Sequence, residues 1–193
     1  LRLEMRAEIR RIHRELGRTT IYVTHDQDEA LSLSDRIVVM RQGIAQQIAP
    51  PKVVFEMPSN LHVARFMGYR NVLDLDVAAR ESQRARVLGP GIELWGTVAE
   101  PFTGTRASVA IRPDEMTVVA PGSPNSLAAT VVSSEYGGRD SLVEVLAASG
   151  TRLYVRTSQH VNPGDTISIS APPERVLVYP VEAPATTAPV RPN

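Results

Sequence analysis

The sequence has 193 residues and is 42% hydrophobic, which suits one large or two small globular domains. Basic and acidic residues number 21 each, so the net charge does not indicate a nucleic-acid or highly charged partner. Cysteine is absent, which excludes disulfides and thiolate metal sites. No apolar run is long enough to span a membrane, and the charged start LRLEMRAEIR is unlike a signal peptide.

The first 16 residues are predicted to form an amphipathic helix that ends at Gly17. Apolar residues recur every three or four positions along one face: Leu1, Met5, Ile9, Ile12 and Leu16. Arginines line a neighbouring face at Arg2, Arg6, Arg10 and Arg14. Glu8 and Glu15 partly offset them, so this row indicates a solvated helix flank rather than a nucleic-acid surface.

Residues 19–68 are predicted to alternate between strand and helix, as in an α/β layer. Thr19–Thr24 is rich in β-branched residues and has no polar alternation, which predicts a strand buried on both faces. The later elements are predicted as a helix at 27–33 capped by Asp26, strands at 36–40 and 44–48 joined by a turn at 42–43, a helix at 52–56, and a helix at 61–67 capped by Asn60.

Residues 69–180 lose the helical period and are predicted to form a small all-β barrel or sandwich. Short alternating runs such as Ala107–Ile111 are separated by closely spaced glycine and proline turns. The similar lengths of 71–119 and 127–179 allow two half-barrels. Residues 181–193 are rich in proline and threonine, so a disordered tail is predicted there.

His25 directly follows the predicted strand at 19–24. Ligands of open α/β sheets bind outside the carboxyl ends of strands, where a histidine can donate a hydrogen bond to a phosphate or to an attacking water. Position alone favours a structural histidine that is satisfied by its neighbours over a phosphate contact.

Residues 17–68 resemble the last third of the nucleotide-binding domain of ABC-type importers, a family that drives uptake of sugars, polyamines, iron or sulfate. The family's switch loop, T-H-D-Q-x-E-A, reads here Thr24-His25-Asp26-Gln27-Asp28-Glu29-Ala30. The runs Ser34–Met40 and Pro58–Gly68 are similar to the family's following strands and closing helix. The resemblance implies that His25 contacts the γ-phosphate of ATP and helps to hold the attacking water, whereas Asp28 and Glu29 are interpreted as helix N-terminal acids.

The other motifs of that family are missing from the sequence. The only lysine, Lys52, lies between Pro51 and Val53, so there is no G-x-x-x-x-G-K-[ST] phosphate loop. No aliphatic run ends in Asp-Glu, and Gly137-Gly138 is not part of an L-S-G-G-Q signature. The resemblance therefore implies the C-terminal piece of an importer ATPase, with ATP and Mg²⁺ as cofactors of the full-length protein. We expect neither cofactor to be bound by this chain, and we expect no hydrolysis by the chain alone. The resemblance implies no metal ligands among its residues.

The second module resembles the TOBE domain, the OB-like regulatory domain of these ATPases. The resemblance rests on VAIRPDEM at 109–116, on 135–145, and on VNPGDTISISAPPERVLVY at 161–179. The segment Arg112-Pro113-Asp114-Glu115 is also a good turn sequence by itself. Trp95 and Tyr136 are interpreted as core or dimer-contact aromatics as readily as ligand-stacking ones.

The fold expected from both resemblances is an α/β fragment of an ABC-type nucleotide-binding domain, residues 1–68, followed by an all-β OB-like TOBE barrel, residues 69–180. The implied partners are a second copy of the chain and transmembrane permease subunits, and the implied location is cytoplasmic, at the inner face of the plasma membrane. An alternative is an OB-like module that binds a small oxyanion such as molybdate, with donors from Tyr136–Ser141. An oligonucleotide is not favoured, because residues 71–193 carry 13 acids against 10 bases and few aromatics.

Overall fold

A computed structural model describes residues 2–182 of the chain, with side chains from Glu4 onward. The chain divides into two compact units, one up to Met67 and one from Gly68. Residues 183–193, which make up most of the predicted tail, lie outside the described residues. No helix within residues 2–182 is both long enough and apolar enough to cross a membrane.

The first unit contains four helices and one hairpin within its described residues. Its elements are α1 (Arg2–Leu16), α2 (Gln27–Leu33), β1 (Ile37–Arg41), β2 (Ile44–Ala49), α3 (Pro51–Glu56) and α4 (Leu61–Phe66). Gln42 and Gly43 both have positive φ, 50° and 79°, as the tight turn between β1 and β2 requires. The Asn60 side chain accepts a hydrogen bond from the Val63 N–H and caps α4 as the sequence predicts.

The predicted strand at Thr19–Thr24 is wrong. This segment has no regular structure, and Ile21 and Val23 are 90% and 89% exposed rather than buried. A strand forms only when its backbone pairs with a neighbouring strand. The two described strands of this unit, β1 and β2, pair antiparallel with each other and leave 19–24 without a partner strand. β-Branched composition therefore does not by itself produce a strand here, and the expected buried parallel layer is absent from the described residues.

The second unit is all-β, as the sequence predicts. Its strands are β3 (Asn71–Glu81), β4 (Arg84–Gly89), β5 (Ile92–Val98), β6 (Arg106–Ile111), β7 (Thr117–Val119), β8 (Ser126–Tyr136), β9 (Ser141–Ala147), β10 (Arg152–Thr157), β11 (Thr166–Ser170) and β12 (Leu177–Pro180). A closed five-stranded barrel has the order β12-β5-β4-β3-β6, and a second sheet has the order β10-β9-β8-β11-β7. A closed barrel of five strands is the arrangement of an OB-like fold.

The two halves of this unit have the same strand order, and each takes its last strand from the other half. β7 follows β6 in the chain but pairs with β11, and β12 follows β11 but pairs with β6. A proline-containing 3₁₀ turn, at Pro113–Glu115 and again at Pro173–Arg175, precedes each exchanged strand. One hydrophobic core contains residues of both halves. The half-barrels are thus present, but neither is complete without the other.

Two asparagine side chains act as additional strand partners between the halves. The Asn71 amide nitrogen donates to the Tyr154 carbonyl at 2.7 Å, and the Tyr154 N–H donates to the Asn71 side-chain oxygen at 2.6 Å. Asn125 makes the corresponding pair with Trp95, at 3.1 and 2.6 Å. Asn71 is fully buried, so its amide replaces hydrogen bonds that water cannot supply.

We expect Asn71→Ala to lower the free energy of unfolding by about 3 kcal/mol, because it leaves a buried peptide group of β10 without its partners. Urea unfolding followed by Trp95 fluorescence measures the change. Asn162→Ala is the matched control, because Asn162 is exposed, and a change below about 0.5 kcal/mol is expected there. Equal effects of the two substitutions would show that the hydrogen bonds between the Asn71 side chain and Tyr154 do not stabilise the unit.

Candidate functional site

His25 lies on the surface at the bend between the irregular segment 18–24 and α2. Its side chain is exposed and makes no hydrogen bond or ion pair with residues 4–182. The interpretation as a structural histidine satisfied by its neighbours is therefore not supported by the described contacts. Both ring nitrogens can reach a ligand that approaches from solvent.

The turn that presents His25 is held by the capping of α2. The Asp26 carboxylate accepts a hydrogen bond from the Glu29 N–H at 3.0 Å, which caps the helix as the sequence predicts. The Asp26 N–H donates to the Thr24 hydroxyl oxygen at 2.9 Å. His25 is thus flanked on both sides by residues whose polar groups are fixed by local hydrogen bonds.

Glu29 closes this network from inside the first turn of α2. Its carboxylate accepts hydrogen bonds from the Thr24 hydroxyl at 2.7 Å and from the Tyr22 hydroxyl at 2.9 Å. The bond from Thr24, followed by that from Tyr22, lowers the pKa of Glu29 below its usual value. The hydrogen bond that the Tyr22 hydroxyl donates to Glu29 raises the pKa of Tyr22. Glu29 therefore stays ionised to lower pH than a free glutamate and keeps the loop in place.

Two contacts with residues distant in the sequence attach the loop to the rest of the first unit. The Arg6 guanidinium of α1 lies 3.5 Å from the Asp26 carboxylate, with both side chains mostly buried. The Gln27 side-chain amide donates to the Phe66 carbonyl at the end of α4. The loop is therefore anchored to the helices before and after it, which limits how far His25 can move.

The sequence interpretation missed the roles of Tyr22, Thr24 and the Glu29 side chain. It took Glu29 together with Asp28 as an acid that favours the helix N-terminus. Asp28 is exposed and fits that description, whereas Glu29 folds back onto the preceding segment. The three-residue spacing of Asp26 and Glu29 resembles a capping box, which would direct the Glu29 side chain to the Asp26 N–H. Glu29 instead accepts from Tyr22 and Thr24, which this spacing does not predict.

Arg112 of the 109–116 motif is a buried structural residue. It is 3% exposed, donates to the Glu115 carboxylate at 2.9 Å, and lies over the Tyr69 ring at 4.9 Å from the centroid. Glu115 also lies 3.6 Å from the Arg175 guanidinium. The interpretation of this motif as a turn is correct, and its arginine is attached to the barrel by charge and ring contacts.

The candidate oxyanion loop Tyr136–Ser141 does not form a cluster of free donors. Tyr136 is 73% exposed and its hydroxyl donates to the Gly138 carbonyl. Asp140 brings a carboxylate into the loop, which accepts from Arg156 at 2.9 Å. Trp95 is half-buried and its backbone is bound by Asn125, which fits its interpretation as a core aromatic.

The residues of the chain fit one phosphate contact and not a complete nucleotide site. His25 can supply that contact, but the sequence contains no phosphate loop. Within the described residues, no group of three or more acidic or histidine side chains could hold a metal ion. ATP and Mg²⁺ would therefore require residues other than those of this site.

Comparison with known proteins extends over both units. Residues 109–178 match the family model of the TOBE domain. A spermidine/putrescine import ATP-binding protein of Pseudomonas aeruginosa is 39% identical over 159 residues, which cover 81% of this chain and 43% of that protein. An sn-glycerol-3-phosphate import ATP-binding protein of Chromobacterium violaceum is 35% identical over 185 residues, which cover 94% of this chain and 50% of that protein.

The all-β unit is accordingly a TOBE domain of OB-like fold. The chain belongs to the family of ATP-binding subunits of ABC importers that carry this domain, as the sequence resemblance indicates. It spans about half the length of the curated relatives it matches.

A solved structure is also similar to part of the chain. The molybdate-bound form of the cytoplasmic molybdate-binding protein ModG has a TM-score of 0.49 and 19% identity, covering 57% of this chain and 96% of that chain. A likeness at this level carries no inference about a ligand of this chain.

We expect Asp26→Ala to destabilise α2 and the loop by about 1 kcal/mol, the usual cost of losing an N-cap acceptor. Amide hydrogen exchange at Glu29 and Ala30 should become faster. Asp28→Ala is the matched control, because it removes an acid from the same turn without removing the cap. Unchanged exchange at Glu29 in Asp26→Ala would contradict the capping role.

Proposed function

We propose that residues 1–68 are part of an α/β ABC-type nucleotide-binding domain and that this chain contributes its switch loop to the ATP-hydrolysing subunit of an importer. The observation that carries the proposal is the exposed, unpaired His25 between two residues that the Asp26–Thr24–Glu29 network holds in place. The seven-residue string around it is that of the switch loop. The TOBE domain would act as the regulatory module, and dimerisation through it is the alternative to the first-unit dimer that we propose below.

A histidine placed in this way suits phosphoryl transfer. That reaction depends on positioned donors around the phosphate oxygens more than on a nucleophilic side chain. His25 would donate a hydrogen bond to the γ-phosphate oxygen of ATP and help to orient the attacking water. The fixed flanking residues reduce the conformational entropy that the contact would otherwise cost.

ATP and Mg²⁺ belong to this proposal as cofactors of the whole importer subunit. In the sequence given, His25 is the residue that we assign to them, and the phosphate loop is not among its motifs. We therefore assign no hydrolysis to these 193 residues acting alone.

The further partners that we propose are transmembrane permease subunits, with the chain at the cytoplasmic face of the plasma membrane. The support is the family to which the chain belongs. The names of its relatives refer to polyamines in one case and to a phosphate ester in another, at similar identity. Because these substrates carry opposite charge, the shared sequence does not define what is transported.

His25 is testable in a chimera of the P. aeruginosa relative in which this chain replaces the matching segment. We expect His25→Gln to lower kcat for ATP hydrolysis by about 100-fold, as for loss of one transition-state donor, with a much smaller change in KM. His160→Gln is the matched control, because His160 is an exposed histidine of the TOBE domain. Equal kcat values in the two variants would contradict the switch-loop assignment.

We also propose that the chain forms a homodimer through the first unit. The support is exposed apolar surface, since Ile21 and Val23 are about nine-tenths exposed and α1 exposes Met5, Ile9, Ile12 and Leu16 by 42% to 64%. Sedimentation velocity should show a dimer, and Ile21→Asp/Val23→Asp should shift it towards monomer. The control, Val132→Asp on β8, adds charge at an exposed apolar position of the second unit and should leave the dimer intact. A monomer at all concentrations of the unaltered chain would contradict the proposal.

A further inference from the structure

A cavity of about 250 Å³ lies between α1 and the end of α2. Its α1 residues begin at Arg10, one helical turn beyond Arg6, which contacts Asp26 of the switch loop. Side chains of one helical turn of α1 form one wall, and the residues where α2 ends form the other. The lining residues are Arg10, His13, Arg14, Leu33, Ser34 and Asp35. Basic side chains thus dominate the lining, and a single carboxylate faces them.

The α1 arginines with described side chains fall into two groups, those with an ion-pair partner and those without one. Arg6 pairs with Asp26, and Arg11 pairs with Glu8 at 2.6 Å and Glu15 at 2.5 Å. Arg10 and Arg14 make no hydrogen bond or ion pair with residues 4–182. Both side chains are exposed, as the prediction of a solvated flank expects, and both also line the cavity.

Arg10 and Arg14 bring two like charges to one cavity, where a bound anion would lower their mutual repulsion. Like charges four residues apart on a helix repel each other, and His13 lies between them on the same face. The helix dipole favours cations in the last turn of α1 but does not require them to meet at a cavity. Each guanidinium has planar N–H donors that match the oxygens of a phosphoryl or carboxyl group.

Asp35 narrows the choice of anion. A carboxylate in a basic cavity repels a fully deprotonated ligand, but it accepts a hydrogen bond from a ligand that carries a hydroxyl. A phosphate near neutral pH has both charged oxygens and a P–OH group, because its second pKa lies near 6 to 7. A sulfate has charged oxygens alone. Ser34 adds a hydroxyl that can donate to either ion.

We propose that this cavity binds a phosphoryl group, as inorganic phosphate or as a small phosphomonoester, with Arg10 and Arg14 donating to its oxygens and Asp35 accepting from its hydroxyl. The site is separate from the switch loop and uses none of its residues. Its arginines belong to α1, the same helix whose Arg6 anchors the switch loop through Asp26.

The test is a titration of the full 193-residue chain with inorganic phosphate at pH 6.5, followed by the arginine Nε–H resonances in ¹⁵N-labelled protein. We expect the Arg10 and Arg14 signals to shift along one binding curve and the Arg18 signal to stay in place. Arg10→Gln/Arg14→Gln should weaken binding roughly tenfold or more, as for loss of charge-assisted hydrogen bonds. Arg18→Gln is the matched control, because Arg18 is exposed and lies outside the cavity.

Two further titrations separate the ligand sources and test Asp35. Phosphoserine should bind at least as tightly as phosphate if the cavity accepts a monoester, and weaker phosphoserine binding would assign the site to the free ion. Sulfate should bind more weakly than phosphate, and Asp35→Asn should reduce that preference. Absence of saturable shifts at Arg10 and Arg14, or equal phosphate affinity in the arginine double variant and its control, would overturn the proposal.

Discussion

The exchange of last strands is the constraint on which the second unit depends. β12 closes the barrel between β5 and β6, although it is the last described strand of the chain, and β7 completes the other sheet in return. Neither half can bury its apolar face until both have been formed, because the core contains residues of both. The Asn71 side chain, bound to the Tyr154 backbone, and the Asn125 side chain, bound to the Trp95 backbone, then attach each half to the other. Folding of this unit is therefore expected to be cooperative over residues 71–180.

Close packing explains why particular residues occur along these strands. A Cβ added to Gly96 on β5 would lie 2.6 Å from the Val176 carbonyl oxygen, where the chain enters β12. The returning strand thus requires a glycine at this crossing. The β-bulges of β3 and β8 occur at corresponding positions, after Val77 and after Val131. Such agreement between the halves explains how two sequences with little obvious identity produce the same strand order.

Local signals in the sequence predicted most of the fold. The caps at Asp26 and Asn60, the turn at Gln42-Gly43 and the alternating strands depend on neighbouring residues, so they can be read from short stretches. The absence of a strand at 19–24 could not be predicted, because a strand depends on a partner strand that composition does not specify. The exchange of β7 and β12 likewise depends on pairing between distant strands. The similar lengths of 71–119 and 127–179 indicated two halves but did not predict that they exchange strands. At the site, the position of His25 followed from its motif, whereas the hydrogen bonds of Tyr22 and Thr24 to Glu29 needed coordinates.

The two units differ in how they satisfy their polar groups, and this difference indicates where ligands act. In the second unit the buried polar side chains are used internally, as Asn71 binds β10 and Ser108 donates to Asp74 at 2.6 Å. In the first unit, polar side chains without described partners gather at the surface, as His25 beside α2 and as Arg10 and Arg14 at the cavity. Exposed polar side chains without partners in the protein are free to bind a ligand that approaches from solvent. Both phosphate contacts that we propose therefore lie in the helical unit that precedes the TOBE barrel.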